Sequence, residues 1–165
     1  MPRRLPNTAS ILGIAGLIPF VACGIVALST ADDLRASFFL QSLIAYAAVI
    51  LAFLGGVHWG FVLETPEPDS ATVATRRDAP RLVGGVLPSL IGWAALIVML
   101  AGVPAAALAI LIAGFVALTV TEAQLRRRLL VPPGYMLLRW GLSIVVVLVL
   151  ATVLTLRLIG ARISF

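Results

Sequence analysis

The chain contains a single histidine, His58. It lies in the run Tyr46 to Gly60, YAAVILAFLGGVHWG, between a glycine pair and a tryptophan. An imidazole inside an apolar stretch has several chemistries open to it. As a neutral ring it fastens helices by hydrogen-bonding a hydroxyl, a carbonyl or the Glu122 carboxylate. As a titratable group it handles a proton or meets a ligand, the default reading for an ionisable residue inside a membrane span. At the end of a span it sits among lipid headgroups. A metal centre is not expected: besides His58 there is one cysteine, Cys23, so only carboxylates could complete a ligand set. Haem on one axial histidine has equally little to support it, and no cofactor can be named. The lone Cys23 also rules out an intramolecular disulfide and reads as a small packing residue.

Four more residues complete a candidate polar site with His58: Ser89, Glu122, Tyr135 and Arg139. Glu122 has two readings. It is four residues before Arg126, the spacing of a surface ion pair on a helix, and it can equally turn inward to Arg139 or His58. Arg139 falls one turn into an apolar run, where it needs a partner or must snorkel to the interface. A catalytic set is not visible. Ser37, Ser42, Ser89 and Ser143 are scattered, and none stands in a GxSxG-type turn. Intramembrane serine proteolysis would need Ser89 facing His58. The expectation is therefore a protein that is not an enzyme.

The elements that position these residues follow from composition. Of 165 residues, 61% are hydrophobic and 12% are charged, half the charged share of about 25% usual in soluble domains. Apolar runs of spanning length recur, so the chain reads as one all-α integral membrane domain over 1–165. Five transmembrane helices are expected at about 9–29, 36–63, 82–101, 105–121 and 135–158, joined by loops at 64–81 and 122–134. The first has an apolar core longer than the roughly 7–15 residues of a signal peptide, so it is expected to be retained, with a kink at Pro19. Ser29, Thr30 or an aspartate can cap the second. That helix would be about 40 Å long against a hydrocarbon core of about 30 Å, so it tilts or projects. The segment 64–81 holds three prolines, four acids and three arginines and reads as a flexible loop.

The net charge of +5 is not a nucleic-acid signal. All twelve basic residues are arginine, and they cluster at the ends of apolar runs, where basic residues set topology. Nine fall at the N-terminus, the 64–81 loop and the 122–139 link, and three on the other side. The positive-inside rule then places the N-terminus in the cytoplasm and the C-terminus in the periplasm of a bacterial inner membrane. Trp59, Trp93 and Trp140 read as interface anchors or packing residues. His58, Ser89, Glu122, Tyr135 and Arg139 then gather in the cytoplasmic leaflet. On the second helix Gly56 and Gly60 share a face as a GxxxG seam, and His58 lies opposite with Gly55. With Gly84, Gly85 and Pro88 on the third helix, these glycines are the expected packing positions. Neither face suits lipid, so the second helix is expected at the centre of a compact bundle.

The stretch FLGGVHWG at 53–60 closely resembles the signature of the domain-of-unknown-function family that includes animal transmembrane protein 69. Three further features fit it. Leu87-Pro88-Ser89 is followed by Trp93, an acid closes the fourth helix, and a proline-rich turn leads into Tyr135-Met136-Leu137-Leu138-Arg139. The resemblance implies a five-helix membrane protein, bacterial or mitochondrial, with no established activity. It also implies tryptophan before Tyr135 and aspartate at 122; this chain has Gly134 and Glu122 there, losing the aromatic and keeping the charge. The function expected first is a non-catalytic scaffold or assembly factor for other membrane proteins. The alternative is a binder or carrier of a lipid, quinone, haem or proton around His58. The lipid bilayer is a partner in either case; nucleic acid is not.

Overall fold

A computed structural model describes residues 7–63, 71–125 and 135–160. Within these segments the side chains of Asn7, Ala9, 58–63, 71–83, Leu125, Tyr135 and Met136 lie outside the description. The described residues form helices and turns only: α1 (Asn7–Ala15), α2 (Ile18–Ser29), α3 (Asp33–Leu63), α4 (Ala71–Leu100), α5 (Pro104–Leu125) and α6 (Tyr135–Leu158). Among the described residues, four segments have the length and apolarity to cross a membrane: Ser10–Ser29, Asp33–Val57, Pro104–Gln124 and Leu137–Leu158. Gly84–Leu100, within α4, is a shorter apolar stretch.

The first span is two helices. Pro19 was expected to kink it in place, but the break falls upstream, between Ala15 and Ile18. Proline lacks an N–H and crowds the carbonyl four residues before it, here Ala15, so the disruption appears a turn earlier. Pro19 itself sits in the first turn of α2, where no donor is needed. The Gly16 carbonyl at the break accepts the Tyr46 hydroxyl of α3 at 3.0 Å.

Local chemistry fixes the other ends. Asp32 caps α3, its Oδ1 accepting the Leu34 and Arg35 N–H groups at 3.0 and 3.4 Å. α3 thus starts at Asp33 rather than at about 36, and its 31 residues span about 46 Å. α4 ends in a left-handed glycine, Gly102 (φ 82°). The Gly102 and Val103 N–H groups close onto the Met99 and Val98 carbonyls at 3.0 and 3.2 Å. Pro104 then opens α5. α4 begins at Ala71, so residues 71–81 are helix where a loop was expected. Polarity suggested the loop, whereas the alanines and arginines of ATVATRRDAPR are good helix formers. α5 runs past 121 to Leu125, which puts Glu122 inside the helix.

α3 is the centre of the bundle. It packs on α2, α4 and α5, while α6 closes the ring against α5, α2 and α1. Its buried residues Leu40, Leu43, Ile44, Ala47, Ala48 and Leu51 recur three and four apart, the spacing of one helix face. Lipid offers no hydrophobic drive between helices, so close packing must hold them together. Glycines provide it at several points: a Cβ on Gly92 would lie 2.9 Å from the Ala48 carbonyl oxygen, and one on Gly114 would lie 2.8 Å from the Leu51 side chain. The exterior carries Ile11, Phe38, Val49, Leu90, Trp93 and Leu148, all exposed. So apolar a surface suits hydrocarbon and would drive aggregation in water.

Candidate functional site

The polar centre of the bundle lies where α5 ends and α6 begins. Arg139, one turn into α6, is 7% exposed. Its Nη2 donates to Glu122 Oε1 of α5 at 3.0 Å, and its Nη1 donates to Ser143 Oγ at 2.8 Å. Residues 139 and 143 are one turn apart on one helix face, so α6 itself aligns the serine with the guanidinium. The Arg139–Glu122 contact is an ion pair shielded from solvent on both sides. In a low-dielectric setting such a pair persists only with good geometry and further hydrogen bonds, and Ser143 supplies one. The arrangement fixes α5 against α6.

Of the sequence-derived site residues, the fold joins Glu122 and Arg139. Ser89 is not with them. It lies on the exposed face of α4 beside Leu87 and Leu90, because Gly85, Pro88, Gly92 and Ala95 form the stripe that α4 turns toward α3. The side chains of His58 and Tyr135 lie outside the described residues. Ser143 was absent from the sequence-derived site. The signal that could have found it is its spacing of four from Arg139.

Of the expected packing positions, Gly55, Gly85 and Pro88 form the close approach of α3 and α4, whereas the GxxxG face that carries Gly56 does not. Gly56 is exposed, and a Cβ there would meet nothing within 4 Å; a Cβ at the half-buried Gly84 would likewise meet nothing. The close approach of α3 and α4 runs instead through Gly55. A Cβ at Gly55 would collide with the Gly85 carbonyl oxygen and come within 3.0 Å of Pro88. Counting glycines four apart selected the face a residue away from the one that packs. Gly60 lies outside the described side chains.

A cavity of about 170 Å³ lies against the polar centre. Arg139, Ser143 and Val146 of α6 line one wall, and Phe20, Phe115 and Leu54 line others. Phe20 stands edge-on to Tyr46 and to Phe115, with ring centroids 5.0 and 6.5 Å apart. The α1–α2 break forms the remaining side through Gly13, Gly16 and Leu17. Phe20, Phe115 and Val146 are buried, whereas Leu12 and Phe53, also lining the cavity, are 71% and 65% exposed. The floor is therefore inside the bundle and the mouth opens sideways, toward lipid. At the opposite end of the bundle a larger, more polar hollow of about 330 Å³ is lined by Asp33, Ser37, Thr30 and Arg157. There Arg157 Nη2 reaches the Ala27 carbonyl at 3.5 Å.

Comparison with known proteins gives relatives but no chemistry. Over 95 residues the chain is 37% identical to "Transmembrane protein 69" of Xenopus tropicalis, covering 58% of this chain and 34% of that protein. The same protein of Mus musculus is 37% identical over 92 residues, covering 56% and 34%. The chain thus spans about a third of the length of these relatives. No solved structure matches it. Residues 5–155 match the family described as "Protein of unknown function (DUF3429)". With nearly the whole helical bundle inside that match, the chain belongs to the DUF3429 family of membrane proteins.

Proposed function

We propose that this protein is a non-catalytic, multi-pass membrane protein that holds a small apolar or amphipathic molecule between its helices. The observation that carries this reading is the lateral cavity of about 170 Å³ whose wall includes Arg139 and Ser143. Apolar pockets with a few convergent polar groups are the usual form of small-molecule sites. The ion pair beside it holds Arg139 in place before any ligand arrives. The arginine distribution supports a bacterial inner-membrane location with the N-terminus in the cytoplasm and the C-terminus in the periplasm. The test is native mass spectrometry of protein extracted gently from its own membrane. A bound small molecule is expected, and it should be absent from Val146→Phe, which fills the cavity and leaves the ion pair intact. An empty wild-type protein would reject the reading.

The second reading is a scaffold or assembly factor for other membrane proteins. It is favoured by the outer face of α5, where Ala109, Ala113 and Ala117 are all exposed and four residues apart. Small residues at that spacing let another transmembrane helix approach closely. Cysteine substituted at Ala113 should then crosslink to a defined partner in native membranes. A profile without defined partners would count against the scaffold.

A further inference from the structure

We infer that the polar hollow at the Arg157 end of the bundle is a second binding site, which takes the phosphoethanolamine headgroup of a phospholipid. It is separate from the lateral cavity and does not depend on what that cavity holds.

Place and size come first. The hollow has a volume of about 330 Å³ and is walled by three helices: Ala27, Leu28 and Thr30 end α2, Asp33, Ala36 and Ser37 start α3, and Arg157 ends α6. Its floor is apolar and closed, since Ala27, Leu28 and Ala36 are buried. Ligand sites have volumes of about 300–1,000 Å³, so this one holds a headgroup and leaves acyl chains outside. The apolar spans of α3 and α6 begin at Asp33 and end at Leu158, which sets the hollow where hydrocarbon meets headgroups. Leu34, Phe38 and Leu158 each follow a lining residue and are exposed. They give acyl chains an apolar surface to lie on.

The donors fit a phosphate. Among the described residues Arg157 makes one hydrogen bond, a long one from Nη2 to the Ala27 carbonyl at 3.5 Å. A guanidinium has further N–H donors in a planar fork that matches phosphate oxygens. The side chains of Thr30 and Ser37 make no hydrogen bond among the described residues. Each hydroxyl can donate to the same phosphate. A cation and two hydroxyls from three helices thus converge on one polar space.

Asp33 adds the second half of the headgroup. It is one turn from Ser37, on the same face of α3. It already has an interaction within the chain, and a carboxylate, with about four lone-pair sites, keeps room for a donor. A primary ammonium gives it a charge-assisted hydrogen bond. A trimethylammonium has no N–H to give, and a glycerol hydroxyl gives a weaker, neutral bond.

The experiment titrates the full chain, by native mass spectrometry in detergent, with phosphatidylethanolamine, phosphatidylcholine and phosphatidylglycerol of identical acyl chains. Wild type is expected to prefer phosphatidylethanolamine by about tenfold, the weight of one hydrogen bond to a charged group. Arg157→Ala should weaken it by a similar factor, and Asp33→Asn should bring it level with phosphatidylcholine. Thermal unfolding checks that both variants fold; if one does not, the wild-type selectivity decides. Soluble glycerophosphoethanolamine separates the sources of the headgroup, and it is expected to bind far more weakly than the lipid. Binding as tight as the lipid's would overturn the assignment to a phospholipid. Equal affinity for the three lipids in wild type, or a preference that survives Arg157→Ala in folded protein, would overturn the site. A preference that survives Asp33→Asn would remove the ammonium contact from it.

Discussion

Two arginines on one helix are used in opposite ways. Arg139 near the start of α6 is buried, paired with Glu122 and bonded to Ser143. Arg157 in the last turn of α6 is exposed and reaches one backbone carbonyl at 3.5 Å. The first is enclosed because a neighbouring helix brings a carboxylate to its level. The second has the water-facing end of the bundle and the negative end of the helix dipole, so it needs no dedicated partner. Position along the helix, and what lies across from it, decides whether a membrane arginine organises the interior or marks a boundary. The two cavities follow the same division. The one at Arg139 is a small apolar side pocket, and the one at Arg157 is a larger polar hollow at the bundle's end.

The contrast can be broken most forcefully at the buried end. Arg139→Ala or Glu122→Ala strands an uncompensated buried charge and is expected to destabilise the bundle by about 3–5 kcal/mol. Replacing both with apolar residues, Arg139→Met with Glu122→Leu, should recover most of the loss. Thermal unfolding in detergent measures both; singles no worse than Arg157→Ala would erase the distinction. Next comes the α3–α4 approach. Gly55→Leu must push against the Gly85 carbonyl and Pro88, an overpacking that costs about 1–3 kcal/mol. Gly56→Leu, in open space, should be close to neutral, and equal effects at the two sites would place the seam elsewhere.

A smaller effect is expected from Ser143→Ala, which removes one acceptor from Arg139. The lost bond amounts to about 1 kcal/mol, rising if the N–H stays unsatisfied. A double-mutant cycle with Glu122→Gln sharpens the comparison, since residues in one network couple and distant ones add. Least of all, Arg157→Ala should change stability by less than about 1 kcal/mol. A larger loss there would show that the polar hollow with Asp33 is itself a structural centre.

How much of this could be read from the chain differs element by element. The bounds of α6, 135–158, follow from a proline-rich start and an uninterrupted apolar run. The first span was legible as a span, yet its break was misplaced, because a proline acts on the carbonyl four residues upstream. The extension of α4 back to Ala71 was hidden, since a charged sequence reads as loop although its residues favour helix. Glu122 had three possible partners by spacing alone; the folded chain brings Arg139 to it at 3.0 Å.

The sequence by itself determined that the chain is a membrane-embedded helical bundle, because apolar length and the placement of charge are one-dimensional properties. It also singled out α3, whose small and apolar residues continue around the helix. The tertiary structure alone decided which glycine packs, which serine joins Arg139 and where a cavity remains. Those depend on the rotation of each helix about its axis. A single residue turns the helix face by about 100°, which exchanges Gly55 for Gly56 and removes Ser89 from the interior.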